Sequence, residues 1–208
     1  MMSSLSFDIT PKHLYDLQEL ENKIADIYAL LKTLPEDELY AIQKFTRVSI
    51  IGSSTRIENA LLTDLEVDWI DTVLISSGKT NSFENCKELI ENKLSKDRER
   101  SIEEVAGCRN MLLLIYQDAR SLVPLREIDI RSLHHELLST YPKAHSYIGK
   151  YKEQPNYVVQ ENRMTGEKHI VFKTADAGPI TLAAMHDLIE WYNKTYERDL
   201  RSIFIACE

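Results

Sequence analysis

A mainly helical fold with one inserted β-hairpin is what this sequence predicts. Three observations carry that expectation. Only 6 Gly and 6 Pro occur in 208 residues, too few for a turn-rich β sandwich. Apolar residues recur at helical spacing as far as Leu138. Two runs rich in Val, Tyr, Ile and Phe, Asn156 to Gln160 and Lys168 to Lys173, flank the turn signal Arg163-Met164-Thr165-Gly166.

The elements follow in chain order. The first ten residues read as a loose lead-in. Thr10-Pro11 then opens a helix, with Thr as cap and Pro at the first helical position. Leu14, Leu17, Leu20, Ile24, Ile27 and Leu31 mark its apolar face. Pro35 opens a second helix with Leu39, Ile42, Phe45 and Val48 on one face, and Gly52 is expected to interrupt it. The Ser-rich stretch after Gly52 should restart a short helix. Thr63 with Glu66 forms a capping box, as does Ser101 with Glu104, so helices are expected to begin at each. Between them Asn81 to Lys96 reads as a polar, exposed helix. The Ser101 helix runs through Val105, Met111, Leu112, Ile115 and Tyr116. Pro124 separates it from a helix at Ile128 to Ser139 with Leu133, Leu137 and Leu138 as its stripe. After the hairpin, Pro179 starts a helix containing Met185, Leu188, Ile189 and Trp191.

Composition excludes several functions. The net charge is −8, and no basic tract offsets it, which argues against binding a phosphate backbone. Cys86, Cys108 and Cys207 are odd in number and far apart, which fits a reducing compartment rather than a disulfide framework. No targeting segment and no membrane-length apolar run is present, so a cytoplasmic location is expected.

Two chemical motifs fail on inspection. Gly78-Lys79-Thr80 lacks the first glycine of a phosphate loop, whose place Val73 takes. His135-Glu136 lacks the second histidine of a zinc protease helix, whose place Ser139 takes. The expected metal-ligand set is therefore none.

Ser54-Thr55-Arg56-Ile57-Glu58-Asn59 has the form [ST]xxxE[GN]. Further on, Pro124-Leu125 precedes Ile130-Arg131-Ser132-Leu133-His134-His135-Glu136-Leu137. Then come Gly149-Lys150-Tyr151-Lys152, the hairpin, and Met185 to Trp191-Tyr192-Asn193. In this order the segments resemble those of Fic-family protein AMP transferases, in the class with an N-terminal inhibitory helix. Lys152 stands where that family usually has Arg. The resemblance implies a Fic-like helical bundle with the hairpin as its flap. It implies a regulatory region over residues 1–100, with the inhibitory helix at about 53–63, and the N-terminal part of a Fic domain over 101–208.

The implied activity is auto-inhibited transfer of AMP from ATP, with Mg²⁺, to a hydroxyl of a target protein. The family's next element, His-Pro-Phe-x-[Asp/Glu]-Gly-Asn-[Gly/Lys]-Arg, supplies the base, the metal ligand, the phosphate cradle and the γ-phosphate arginine. None of it occurs here, so no catalytic residue is assigned and the chain alone is expected to be inactive. Ile203 to Cys207 is apolar up to the last residue, as though the chain stopped inside a core helix before the catalytic helices. That end is expected to promote self-association.

By the same resemblance Glu58 would pair with the γ-phosphate arginine in place of ATP. Ser54 would support it by hydrogen bonding, and Asn59, being small, would let the helix approach the nucleotide. In the flap, Tyr157, Val158, Val159 and Gln160 offer an edge to which a target segment could add as a strand. A hairpin that merely covers the core is the alternative there. For the chain as a whole, the alternative is a catalytically inactive binding or inhibitory module using Glu58 or the flap.

Overall fold

A computed structural model describes residues 9–75, 82–94 and 98–197. Helices dominate: α1 (Pro11–Leu31), α2 (Glu36–Ile57), α3 (Asp64–Leu74), α4 (Phe83–Leu94), α5 (Glu99–Asp118), α6 (Glu127–Leu138) and α7 (Pro179–Glu197). A two-stranded antiparallel hairpin, β1 (Tyr157–Glu161) and β2 (Lys168–Lys173), lies between α6 and α7. The chain divides into two compact units at Arg109, within α5. The stretches 76–81 and 198–208 lie outside the described residues, and with them Gly78-Lys79-Thr80 and the apolar C-terminal run.

The helix starts show where local sequence suffices. Thr10 caps α1, accepting from the His13 N–H, with Pro11 in the first turn. At α3 the Thr63 hydroxyl accepts the Glu66 N–H, and the Glu66 carboxylate takes the Thr63 N–H at 2.8 Å, so the expected capping box forms. The second box does not. Helix α5 is already under way at Glu99, and the buried Ser101 hydroxyl instead accepts the Leu61 N–H at 2.9 Å. Glu104 pairs with Arg100 one turn back.

The interruption expected at Gly52 is absent, because α2 continues through it for 22 residues. A glycine inside a helix costs only about 1 kcal/mol relative to alanine. Here it makes room: a Cβ at Gly52 would stand 2.8 Å from Asp64 Oδ1 and 2.9 Å from Arg56 Nη1. Those two atoms form an ion pair at 2.7 Å that joins the end of α2 to the start of α3. The buried face of α2 also differs from the expected one. Val48, Ile51, Gly52 and Thr55 are buried, while Phe45 is 75% exposed.

In the first unit α2 packs on α3 and α3 on α4. Its core contains Ile51, Val67, Ile70, Leu74, Ile90, Ile102 and Val105. Asp71 sits on the same stripe of α3 as Val67, Ile70 and Leu74, only 1% exposed. A buried carboxylate needs counter-charge. Arg47 supplies it through Nη2 at 2.7 Å and Nε at 3.2 Å, and the equally buried Arg109 through Nε at 2.7 Å. Helix α4 reads as polar in sequence yet buries Phe83, Ile90 and Leu94.

In the second unit α6 packs on α7. Its buried apolar side chains among the described residues are Ala144 and Trp191. At the start of α6, Asp129 accepts from the Arg126 N–H at 2.9 Å and from its guanidinium. That guanidinium holds the Asp129 carboxyl below the usual carboxylate range.

Candidate functional site

Helix α2 ends on Asn59, whose φ is +69°. The Asn59 N–H donates to the Arg56 carbonyl at 3.0 Å and the Ala60 N–H to the Thr55 carbonyl at 3.0 Å. This pair of bonds closes a helix on a left-handed residue, a conformation that Gly and Asn adopt at least cost. Thr55 and Ala60 are both buried, and the Leu61 N–H is fixed by Ser101. The segment expected as a separate helix at about 53–63 is therefore the last turn of α2, followed by a non-helical link. Asn59 owes its place to backbone conformation: it ends the helix one residue after Glu58.

Glu58 is the C-terminal cap of α2, with φ −88° and ψ 16°, and its side chain is exposed. Among the described residues it makes no ion pair, since Arg56, two positions earlier, is taken by Asp64. A helix C-terminus carries partial negative charge, and an exposed carboxylate there costs roughly 0.3–1 kcal/mol. Stability alone would favour Lys or Arg at this position. Ser54 is one turn earlier and exposed. Chemically, this end of α2 offers an exposed carboxylate that could accept a guanidinium fork.

In the second unit the segments around the hairpin are tied together by side chains. Asn193 on α7 donates Nδ2–H to the Leu125 carbonyl at 2.8 Å, and its Oδ1 accepts the Leu125 N–H at 2.8 Å. Both backbone groups of the residue after Pro124 are thus satisfied by one amide. His134 on α6 accepts the Gly149 N–H on Nδ1 at 3.0 Å, so the neutral ring carries its proton on Nε2. Arg131 donates Nε–H to the Gly149 carbonyl at 2.7 Å. Gly149 has φ +63°, and a Cβ there would meet the Arg131 carbonyl at 3.3 Å. A cleft of about 620 Å³ opens beside this junction, lined by His134, Tyr147, Lys150, Tyr151, Lys152 and Asn156. Burial and the nearby Glu127 carboxylate push the Tyr151 phenol up.

The hairpin grows from the cleft's edge, where Lys152 Nζ donates to the Thr174 hydroxyl. Tyr157 pairs with Lys173, Val158 with Phe172, Val159 with Ile170 and Gln160 with His169; an irregularity between Val158 and Val159 leaves Val171 extra on β2. Asn162 Oδ1 accepts the Met164 N–H at 2.9 Å, and Gly166, at φ +72°, closes the turn. Every residue of both strands is exposed, including Val158 at 55% and Phe172 at 59%. Among the described residues nothing covers either face of the ladder. Glu58 belongs to the first unit and the hairpin to the second.

No protein-family model, curated protein or solved structure matches this sequence. Among the described residues no helix is long and apolar enough to cross a membrane, and no three His, Cys, Asp or Glu are grouped to hold a metal ion. The groups that the resemblance assigns to Mg²⁺ and the ATP phosphates are missing from the sequence itself.

Proposed function

We propose that these residues form the regulatory and target-facing part of a Fic-type AMP transfer system, in which Glu58 is the inhibitory carboxylate. The observation that carries this reading is the exposed Glu58 at the negative end of α2, without an ion pair among the described residues and directly before a left-handed Asn59. The two residue types allowed at the motif's last position, Gly and Asn, are the two that best tolerate that backbone. Support also comes from the second unit, where Asn193 meets Leu125 and His134 meets Gly149. Segments that carry the resemblance in sequence are thus hydrogen-bonded partners in space.

In this reading Glu58 accepts both N–H groups of a catalytic arginine, and the γ-phosphate of ATP loses that partner. The arginine and the general base come from outside these 208 residues. The hairpin presents β1 as an edge for an extended target segment. A lone two-stranded ladder with apolar side chains on both faces is marginal in water, and a third strand would stabilise it.

The test uses an intact Fic AMP transferase whose own inhibitory glutamate has been replaced by glycine. Label transfer from ATP is followed as this chain is added. The expected result is inhibition by the wild-type chain and none by Glu58→Gly. Equal effects of the two proteins, or no effect of either, count against the assignment of Glu58.

A further inference from the structure

We propose that α1 is a self-association helix, and that its exposed seam closes against α1 of a second copy of this chain. The spacing is the first argument. Leu17, Leu20, Ile24, Ile27 and Leu31 follow one another at intervals of three, four, three and four residues. That is the strict repeat of a coiled-coil seam, narrower than the wider apolar face a helix uses to pack on its own domain. The 21 residues of α1 rise roughly 31 Å, long enough for three heptads.

Exposure is the second argument. Leu17 is buried, but Leu20 and Ile24 are each 43% exposed and Ile27 is 55% exposed. Leu14 and Tyr28 flank the seam, 47% and 63% exposed. Taking the low end of the aromatic range, roughly 150 Å², for each of these side chains, the stripe leaves up to about 400 Å² of apolar surface in water. A standard interface buries about 800 Å² per partner, of which about 60–65% is apolar. The stripe therefore supplies most of the apolar area that one face of a stable dimer contributes. No polar residue interrupts the seam between Leu17 and Leu31, so nothing in it demands a different partner, and a two-fold axis lets each copy cover the other.

The experiment is sedimentation velocity on the full chain across the micromolar range, with the double variant Ile24→Glu/Ile27→Glu beside the wild type. Ala25→Glu adds a charge on the same helix outside the seam. Circular dichroism checks that all three proteins keep their helix content, as exposed substitutions should. We expect a wild-type dimer, an unchanged dimer for Ala25→Glu, and a dissociation constant raised at least about a hundredfold in the double variant, tenfold or more for each isoleucine no longer buried. A wild-type monomer throughout overturns the proposal. Protection of α1 from hydrogen exchange in that monomer would mean the seam is covered within its own chain. A double variant that dimerises as tightly as the wild type also overturns it and places the contact elsewhere.

Discussion

Asn193→Asp should destabilise the second unit by an amount that depends on pH, whereas the cost of Asn193→Ala should be the same at every pH. The wild-type amide makes two 2.8 Å hydrogen bonds to Leu125, one as donor and one as acceptor. A typical bond of this kind contributes about 0.5–1.5 kcal/mol net, so removing both in Asn193→Ala should cost about 1–3 kcal/mol. The aspartate variant keeps an acceptor for the Leu125 N–H. Its second oxygen, when ionised, faces the Leu125 carbonyl with no proton to share. When protonated, that oxygen becomes a donor and the wild-type pattern returns. The folded state thus favours the protonated form and raises the introduced carboxyl's pKa above its unfolded value. A group raised in this way contributes stability that is full below the unfolded pKa and is lost as pH rises through the folded pKa. The penalty of Asn193→Asp should be small near pH 3 and reach about 1–3 kcal/mol by pH 7. Trp191, buried on the same helix, reports unfolding once the other tryptophan is removed by Trp69→Phe. Urea midpoints at constant slope give the energies. Equal penalties for Asn193→Asp at the two pH values would refute the two-bond geometry, as would a loss under about 0.5 kcal/mol in Asn193→Ala.

Asp71→Ala should cost about 3–5 kcal/mol, because it removes the buried carboxylate that the Arg47 and Arg109 guanidinium groups share; Trp69 fluorescence during urea unfolding measures it, and a loss under about 1 kcal/mol would sink the idea. Glu66 is held below the usual carboxylate range by the Thr63 N–H and by Arg98. Its stabilisation is present above the unfolded value and is lost as pH falls through the folded one, so Glu66→Gln should flatten the acid limb of the stability curve. Thermal melts from pH 6 down to about pH 3 check this, and an unchanged acid limb contradicts it. Glu58→Lys should stabilise the first unit by about 0.3–1 kcal/mol, since a cation replaces an anion at the negative end of α2; a lowered urea midpoint would show that Glu58 has a structural partner after all.

Sequence made the local features legible and left the distant ones hidden. The Thr10 and Thr63 caps were readable because each is complete within four residues. Ser101 shows the same local pattern, but a backbone N–H 40 residues away claims its hydroxyl. Gly52 looked like a break because the contact it makes room for, the Arg56–Asp64 pair, reaches across to the next helix. The Asp71 cluster did leave a signal, a charged residue on the apolar stripe of α3, though its two arginines are 24 and 38 positions away. At the candidate site the carboxylate was legible and its setting was not. Asn after Glu58 can be read as a small residue or as a left-handed stop, and only the backbone angle distinguishes them.

The Asn193 bonds to Leu125 also bear on how the chain is made. Synthesis delivers residues in order, and the first unit is complete once Arg109 has emerged. Leu125 must then wait for a partner 68 positions later. Until α7 leaves the ribosome, that N–H and carbonyl have only water, and α6 has no α7 to pack on. The first unit can fold while the second is still being translated, and the second closes only after α7 has emerged. For that interval the nascent chain carries a finished N-terminal unit and an open C-terminal one, with the exposed hairpin segment already present, and this is when chaperones would have most of it to bind.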